Sequence, residues 1–179
     1  GKTAVFNNDG EGQFEPATID AIQNRAKGDQ TTILGWHTGD GMNLVTGSAN
    51  FEQGDPTASS AMVHVAGDDS IAAREIPGIL STTGPLAAAD YNGDGEMDLF
   101  VGGRFIPGQY PRDASSRLFI NEKGRFAVDQ VNSGKLSELG MVSGAVFTDY
   151  DGDGDQDLVL SRAWDSILLL ENRDRNFVD

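Results

Sequence analysis

The chain has 179 residues, enough for one domain with a sizeable core, and carries 28 acidic against 13 basic side chains, a net charge of −15. That balance argues against nucleic acid or an anionic membrane as partner and favours cations or a solvated surface. With no cysteine there is neither a disulfide framework nor a thiolate metal site, and no apolar run reaches the roughly 18 residues of a membrane span.

In chain order, "VFNNDGEGQF" (5–14) predicts a hairpin whose turn is supplied by Asn, Asp and Gly. "IDAIQNRA" (19–26) predicts at most a turn of helix. "GDGMNLVTG" (39–47) reads as a short acidic turn entering a strand. "MVHVAGDDSI" (62–71) is a strand, a polar turn and an apolar residue. "DYNGDGEMDL" (90–99) is an acidic loop running into "DLFVGG". "RLFINEKGRF" (117–126) predicts a second hairpin. "DYDGDGDQDL" (149–158) repeats the acidic loop and runs into "DLVLS", and "ILLLENRDRNF" (167–177) repeats the strand-turn-aromatic element. The apolar runs after the acidic loops are short and bounded by turn residues, as expected of strands covered on both faces.

Two markers recur with one period. The acidic loops start 59 residues apart, and Leu44 of the degenerate copy lies 55 residues before Leu99. The strand-turn elements end at Phe14, Ile71, Phe126 and Phe177, in steps of 57, 55 and 51 residues. Repeat units of about four strands are the signature of propeller blades. The fold class expected is therefore all-β, with about three blades of antiparallel strands in one propeller segment over 1–179. The units run approximately over 15–71, 72–126 and 127–177. Propellers close with four to eight blades, so further blades are expected in the parent chain or a neighbouring chain.

The acidic loops carry the chemistry. Counting from Asp149, side-chain oxygens stand at positions 1, 3, 5 and 9 (Asp149, Asp151, Asp153, Asp157), with glycines at 4 and 6 and the Asp155 carbonyl at 7. The other loop places Asp90, Asn92, Asp94 and Asp98 at 1, 3, 5 and 9, with Glu96 at 7. An all-oxygen set on a tight loop suits a hard cation, Ca²⁺ first, with Mg²⁺ or Mn²⁺ as substitutes. The start of the pattern matches an EF-hand loop, but position 12 is Val101 or Leu160 where that loop needs glutamate, so the EF-hand reading fails.

The pattern D-x-[DN]-G-D-G-x-x-D-L, entering an apolar strand and repeating, resembles the FG-GAP/VCBS repeat family, the blade type of integrin alpha-chain propellers and many secreted bacterial proteins. From about Gly84 onward the chain resembles bacterial proteins that pair such repeats with an ASPIC/UnbV domain. The resemblance implies two Ca²⁺ sites, held by Asp90, Asn92, Asp94, Glu96 (carbonyl) and Asp98, and by Asp149, Asp151, Asp153, Asp155 (carbonyl) and Asp157. It also implies an extracellular, cell-surface or periplasmic setting, because such modules bind Ca²⁺ with Kd of about 10⁻⁴ to 10⁻³ M. The copy at 39–47 departs from the pattern, with Trp36 and Thr38 where oxygen ligands belong.

Other residues carry less. His64 reads as an ordinary strand residue, and His37 has no second histidine to support a transition-metal site. Trp164 and Tyr110 fall in loops where a sugar ring would stack, although propeller packing accounts for each as well. Arg104 is expected to pair with a local carboxylate. Ser81, Thr82 and Thr83 have no base at a recognisable spacing. No acid/base set, nucleophile or phosphate loop stands out, so a non-catalytic module binding protein or carbohydrate is expected, with a propeller-based polysaccharide lyase or hydrolase as the alternative.

Overall fold

The computed structural model describes residues 4–18, 28–39, 41–49, 51, 61–66, 71–76 and 80–179, the backbone alone for 61–66 and 71–75. It is all-β apart from one short helix among these residues. A two-stranded hairpin, β1 (Val5–Asn8) with β2 (Phe14–Ala17), precedes three four-stranded antiparallel sheets, each a simple meander. The first contains β3 (Gln30–Thr38), β4 (Gly41–Ser48), β5 (Ala61–Ala66) and β6 (Ile71–Ile76). The second contains β7 (Thr83–Ala89), β8 (Asp98–Gly103), β9 (Arg117–Asn121) and β10 (Phe126–Val128). The third contains β11 (Val142–Thr148), β12 (Asp157–Arg162), β13 (Leu168–Arg173) and β14 (Asn176–Val178).

The first strands of the sheets, β3, β7 and β11, are neighbours, as the innermost strands of successive propeller blades are. Gly84 permits one such approach, since a Cβ there would lie 3.1 Å from the Val142 carbonyl oxygen. The three blades form a partial propeller, with one apolar core in each gap. Between blades one and two, Val45 and Ile76 meet Leu86, Leu99, Val101 and Phe119. Between blades two and three, Phe100 and Leu118 meet Leu158, Leu160, Leu170 and Phe177. The period of two along β8 explains this: Leu99 and Val101 face one neighbour and Phe100 the other, so "DLFVGG" is buried throughout.

The strand-turn markers fall at equivalent places. Phe14, Phe126 and Phe177 each pair, in the last strand of a hairpin, with an asparagine: Asn8, Asn121 and Asn172. Ile71 opens β6 opposite Ala66. Their surroundings differ, because Phe177 is buried between blades whereas Phe14 is exposed on the isolated hairpin. The unit boundaries after 71 and 126 fall inside β6 and β10, since the markers lie on outer strands and not between blades.

Several expectations need correction. The "DLVLS" strand is fully covered on one face only: Leu158 and Leu160 are buried, but Val159 on the opposite face is half-buried. The degenerate copy at 39–47 enters a strand at Gly41 as expected, but no long loop of the Asp90 kind precedes it among the described residues. β3 and β4 stay paired from Gln30↔Ser48 up to Thr38↔Gly41, and Trp36 packs edge-on against Phe126 of the next blade. A six-residue helix, α1 (Gln130–Lys135), went unforeseen, because it holds a glycine and no apolar period; its one signal is Asp129, whose carboxylate accepts from the Val131 and Asn132 N–H groups as N-cap. The segment 19–26 lies outside the described residues.

Candidate metal centres

Each acidic loop joins the first strand of a blade to its second, so it sits at the end of a strand packed in the core. The loops curl by having carboxylates accept backbone N–H groups. In the later loop, Gly152 N–H (2.7 Å) and Gly154 N–H (3.1 Å) donate to the two Asp149 oxygens. Asp153 N–H donates to Asp151 (3.1 Å), and Asp155 N–H to Asp153 (2.8 Å). In the earlier loop, Asp94 N–H (3.0 Å) and Gly95 N–H (2.8 Å) donate to Asp90, and Asp94 N–H also reaches Asn92 Oδ1 (2.9 Å). Both glycines of each loop have positive φ, 73° and 91° in one and 81° and 97° in the other. Side chains rarely adopt that conformation, which explains the G-x-G spacing.

The structure brings Asp149, Asp151 and Asp153 together, with one oxygen of each lying within 4.8 Å of the others. All three are exposed, while Asp155 stands exposed at position 7. Position 9 is different in kind. Asp157 and Asp98 are fully buried at the starts of β12 and β8. Asp157 Oδ1 accepts from Asn172 N–H and Oδ2 from Tyr150 N–H, both at 2.8 Å, so it ties the loop to the far hairpin of its own blade. Asp98 Oδ1 accepts from Asn121 N–H at 2.8 Å in the same way, whereas Asp98 Oδ2 is buried without a hydrogen-bond partner. Burial pushes the Asp98 carboxyl up to about 7, against the opposing Asn121 N–H bond and assisted by the Asp94 and Asp90 charges. Asp151 is also raised, by desolvation first and then by the Asp153 and Asp157 charges.

The donor set fits a hard cation. It is entirely oxygen, three carboxylates converge in one loop, and in the other a buried carboxylate oxygen lacks a partner. Asp149, Asp151 and Asp153 would hold the ion in one loop and Asp90, Asn92 and Asp94 in the other, with the position-7 carbonyls and position-9 carboxylates completing each set. The ion would supply positive charge to offset crowded carboxylates.

Behind the Asp90 loop lies a buried network that residue spacing did not reveal. Tyr91 O–H donates to Asp129 Oδ2 (2.8 Å), and the Asn132 side-chain amide donates to the same oxygen (2.6 Å). Asn132 Oδ1 accepts from Phe177 N–H, and the Asn172 amide donates to the Tyr91 carbonyl (2.8 Å). The network connects the first loop, α1 and the last hairpin of the next blade. A tyrosine following the first aspartate of each loop was the available signal.

The remaining candidates are placed as follows. Ser81 and Thr82 are buried and donate to the Ser115 and Phe105 carbonyls, which makes them structural. His37 is exposed, and the His64 side chain lies outside the described residues. Arg104 forms no ion pair among the described residues, contrary to expectation. Trp164 and Tyr110 are not packed between blades: they are 87% and 64% exposed.

Antiparallel meander sheets set side by side, with acidic loops entering the second strands of blades two and three, define a propeller-type repeat. Residues 90–160 match the family of FG-GAP-like repeats, a span running from the first acidic loop through the second and into β12. No curated protein matches the chain.

Proposed function

We propose that this chain is a non-catalytic β-propeller module that binds Ca²⁺ at its two acidic loops and presents a binding surface for protein or carbohydrate outside the cytoplasm, as in adhesion. The observation that carries the reading is the convergence of Asp149, Asp151 and Asp153 on a loop that launches a core strand. The FG-GAP-like match over both loops supports it, and the resemblance of the run from about Gly84 is the ground for proposing the bacterial type that accompanies an ASPIC/UnbV domain. Calcium at these sites is structural, and Mg²⁺ or Mn²⁺ are weaker substitutes.

Further blades are the expected neighbours. On blade three, Val146, Val159 and Leu169 form a cross-strand apolar row that is exposed or half-buried. Their counterparts on blade two, Ala87, Phe100 and Leu118, are buried against blade three. At the other end Ile33 and Met42 are exposed on blade one. Both faces have the composition of an inter-blade surface.

The test is thermal melting with Ca²⁺ and with chelator. At free Ca²⁺ ten times Kd, one site stabilises the fold by about 1.4 kcal/mol, so two independent sites give about 2.8 kcal/mol and several degrees of Tm. A chelator-insensitive Tm overturns the calcium reading.

A further inference from the structure

The largest exposed aromatic of the molecule stands in a conformation its residue type disfavours. Trp164, in the turn between β12 and β13, has φ +67° and is 87% exposed. A bulky residue in the left-handed region is uncommon, and nothing in the packing of the blades asks for an indole there. The ring is nevertheless fixed. Its Nε1–H donates to the hydroxyl of Tyr110, 2.9 Å away on the loop between β8 and β9 of the neighbouring blade. Both loops are themselves locked. Arg162 spans the Trp164 turn, bonding the Ser166 and Leu139 carbonyls and pairing with Asp165 at 3.0 Å. The Tyr110 loop is closed by Gln109 N–H on the Ile106 carbonyl and by Arg112 on both the Gln109 carbonyl and its side chain.

These two aromatics border a cleft of about 680 Å³ that is also lined by Phe51, Phe105, Ile106, Met141 and Arg104. A second hollow of about 380 Å³ shares Tyr110, Met141, Ala163 and Trp164 with it and is bordered by Asp113 and Asp165. Each hollow by itself is in the range of small-molecule sites.

We propose that this cleft is a binding site for a neutral saccharide, with a pyranose ring against the Trp164–Tyr110 platform. This deepens the binding-module reading and rests on it for the class of function. The indole N–H is already engaged by Tyr110, so the ring offers its π face, whose negative quadrupole attracts the polarised C–H groups of a sugar. Arg104 beside the first hollow supplies donors, and Asp113 and Asp165 beside the second supply acceptors, for saccharide hydroxyls. The flanking charges have both signs, which suits an uncharged polyol better than an acidic sugar or a purely apolar peptide side chain. Holding both aromatics before binding lowers the ordering cost of association.

The experiment is calorimetric titration of the whole chain, in millimolar Ca²⁺, with gluco-, manno-, galacto- and xylo-tetraose and with trigalacturonate. The expected result is binding of at least one neutral tetrasaccharide and none of trigalacturonate. Trp164→Gly, the residue that the positive φ favours, is expected to weaken that binding at least about tenfold (~1.4 kcal/mol) while Tm stays the same or rises. Tyr110→Phe, which frees the indole N–H, is expected to weaken it about threefold. Absence of binding to every neutral tetrasaccharide, affinity unchanged in Trp164→Gly, or preference for trigalacturonate would each overturn the proposal. So would a concentration-dependent self-association abolished by Trp164→Gly, which would make the cleft a contact between copies. Saccharide binding with a chelator-insensitive Tm would sink the calcium reading alone; a calcium-dependent Tm without saccharide binding would sink the cleft alone.

Discussion

The two acidic loops have nearly the same sequence and similar internal hydrogen bonds, yet they live in different surroundings. Tyr91, after the first aspartate of one loop, is 3% exposed, stacked on Phe147 and bonded to Asp129. Tyr150, its counterpart 59 residues on, is 66% exposed. The same contrast separates Phe100 from Val159 on the following strands. In each pair the residue of blade two is covered by blade three, and the residue of blade three faces outward. A blade repeat therefore encodes a surface prepared for the next blade, and only the presence of that neighbour turns it into core.

The sharpest way to break this comparison is to truncate equivalent positions. Phe100→Ala removes a ring from a sealed core and is expected to cost about 3–5 kcal/mol in urea unfolding. Val159→Ala on the open face is expected to cost about 1 kcal/mol or less. Equal costs would show that blade three is covered in solution by something further. Calcium gives the next largest effect, the Tm gain set out above, and it also ranks the loops. Four side-chain carboxylates serve the Asp149 loop against three plus the Asn92 amide in the other, so Asp153→Ala is expected to lose more of the calcium response than Asp94→Ala. A larger response surviving in Asp153→Ala would reverse the ranking and point to the buried, unpartnered Asp98 oxygen as the stronger contribution. The smallest effect concerns the tyrosines. Tyr91→Phe removes a buried donor to Asp129 and is expected to cost about 1–2 kcal/mol. Tyr150→Phe is expected to stay within about 0.5 kcal/mol. Chemical denaturation of the two variants side by side checks this.

Much of the blade is legible in the sequence alone. The period between Asp90 and Asp149, and that between Phe126 and Phe177, place the loops and the outer hairpins, because turns and alternating strands are local patterns. Turns such as Lys123–Gly124 and Asp174–Arg175, all at positive φ, close those hairpins with the twist that two-residue connections need. What misled was any residue whose role depends on a distant partner. Trp164 and Tyr110 are far apart in sequence and meet only because adjacent blades bring their loops together. The helix at Gln130–Lys135 exists through its Asp129 cap and through Asn132, which bonds the Arg175 carbonyl and the Phe177 N–H of the next blade.

The sequence by itself determined the all-β class, the acidic loops and the order of oxygen donors along them, which are patterns within some ten residues, and the repeat, which is their recurrence every 51 to 59 residues. The tertiary structure alone decided which of two near-identical loops has its tyrosine buried, that β3 and β4 stay paired up to Thr38 and Gly41, and that an indole stands open beside a tyrosine. Those outcomes depend on what each blade packs against, and burial is a property of the neighbour as much as of the residue.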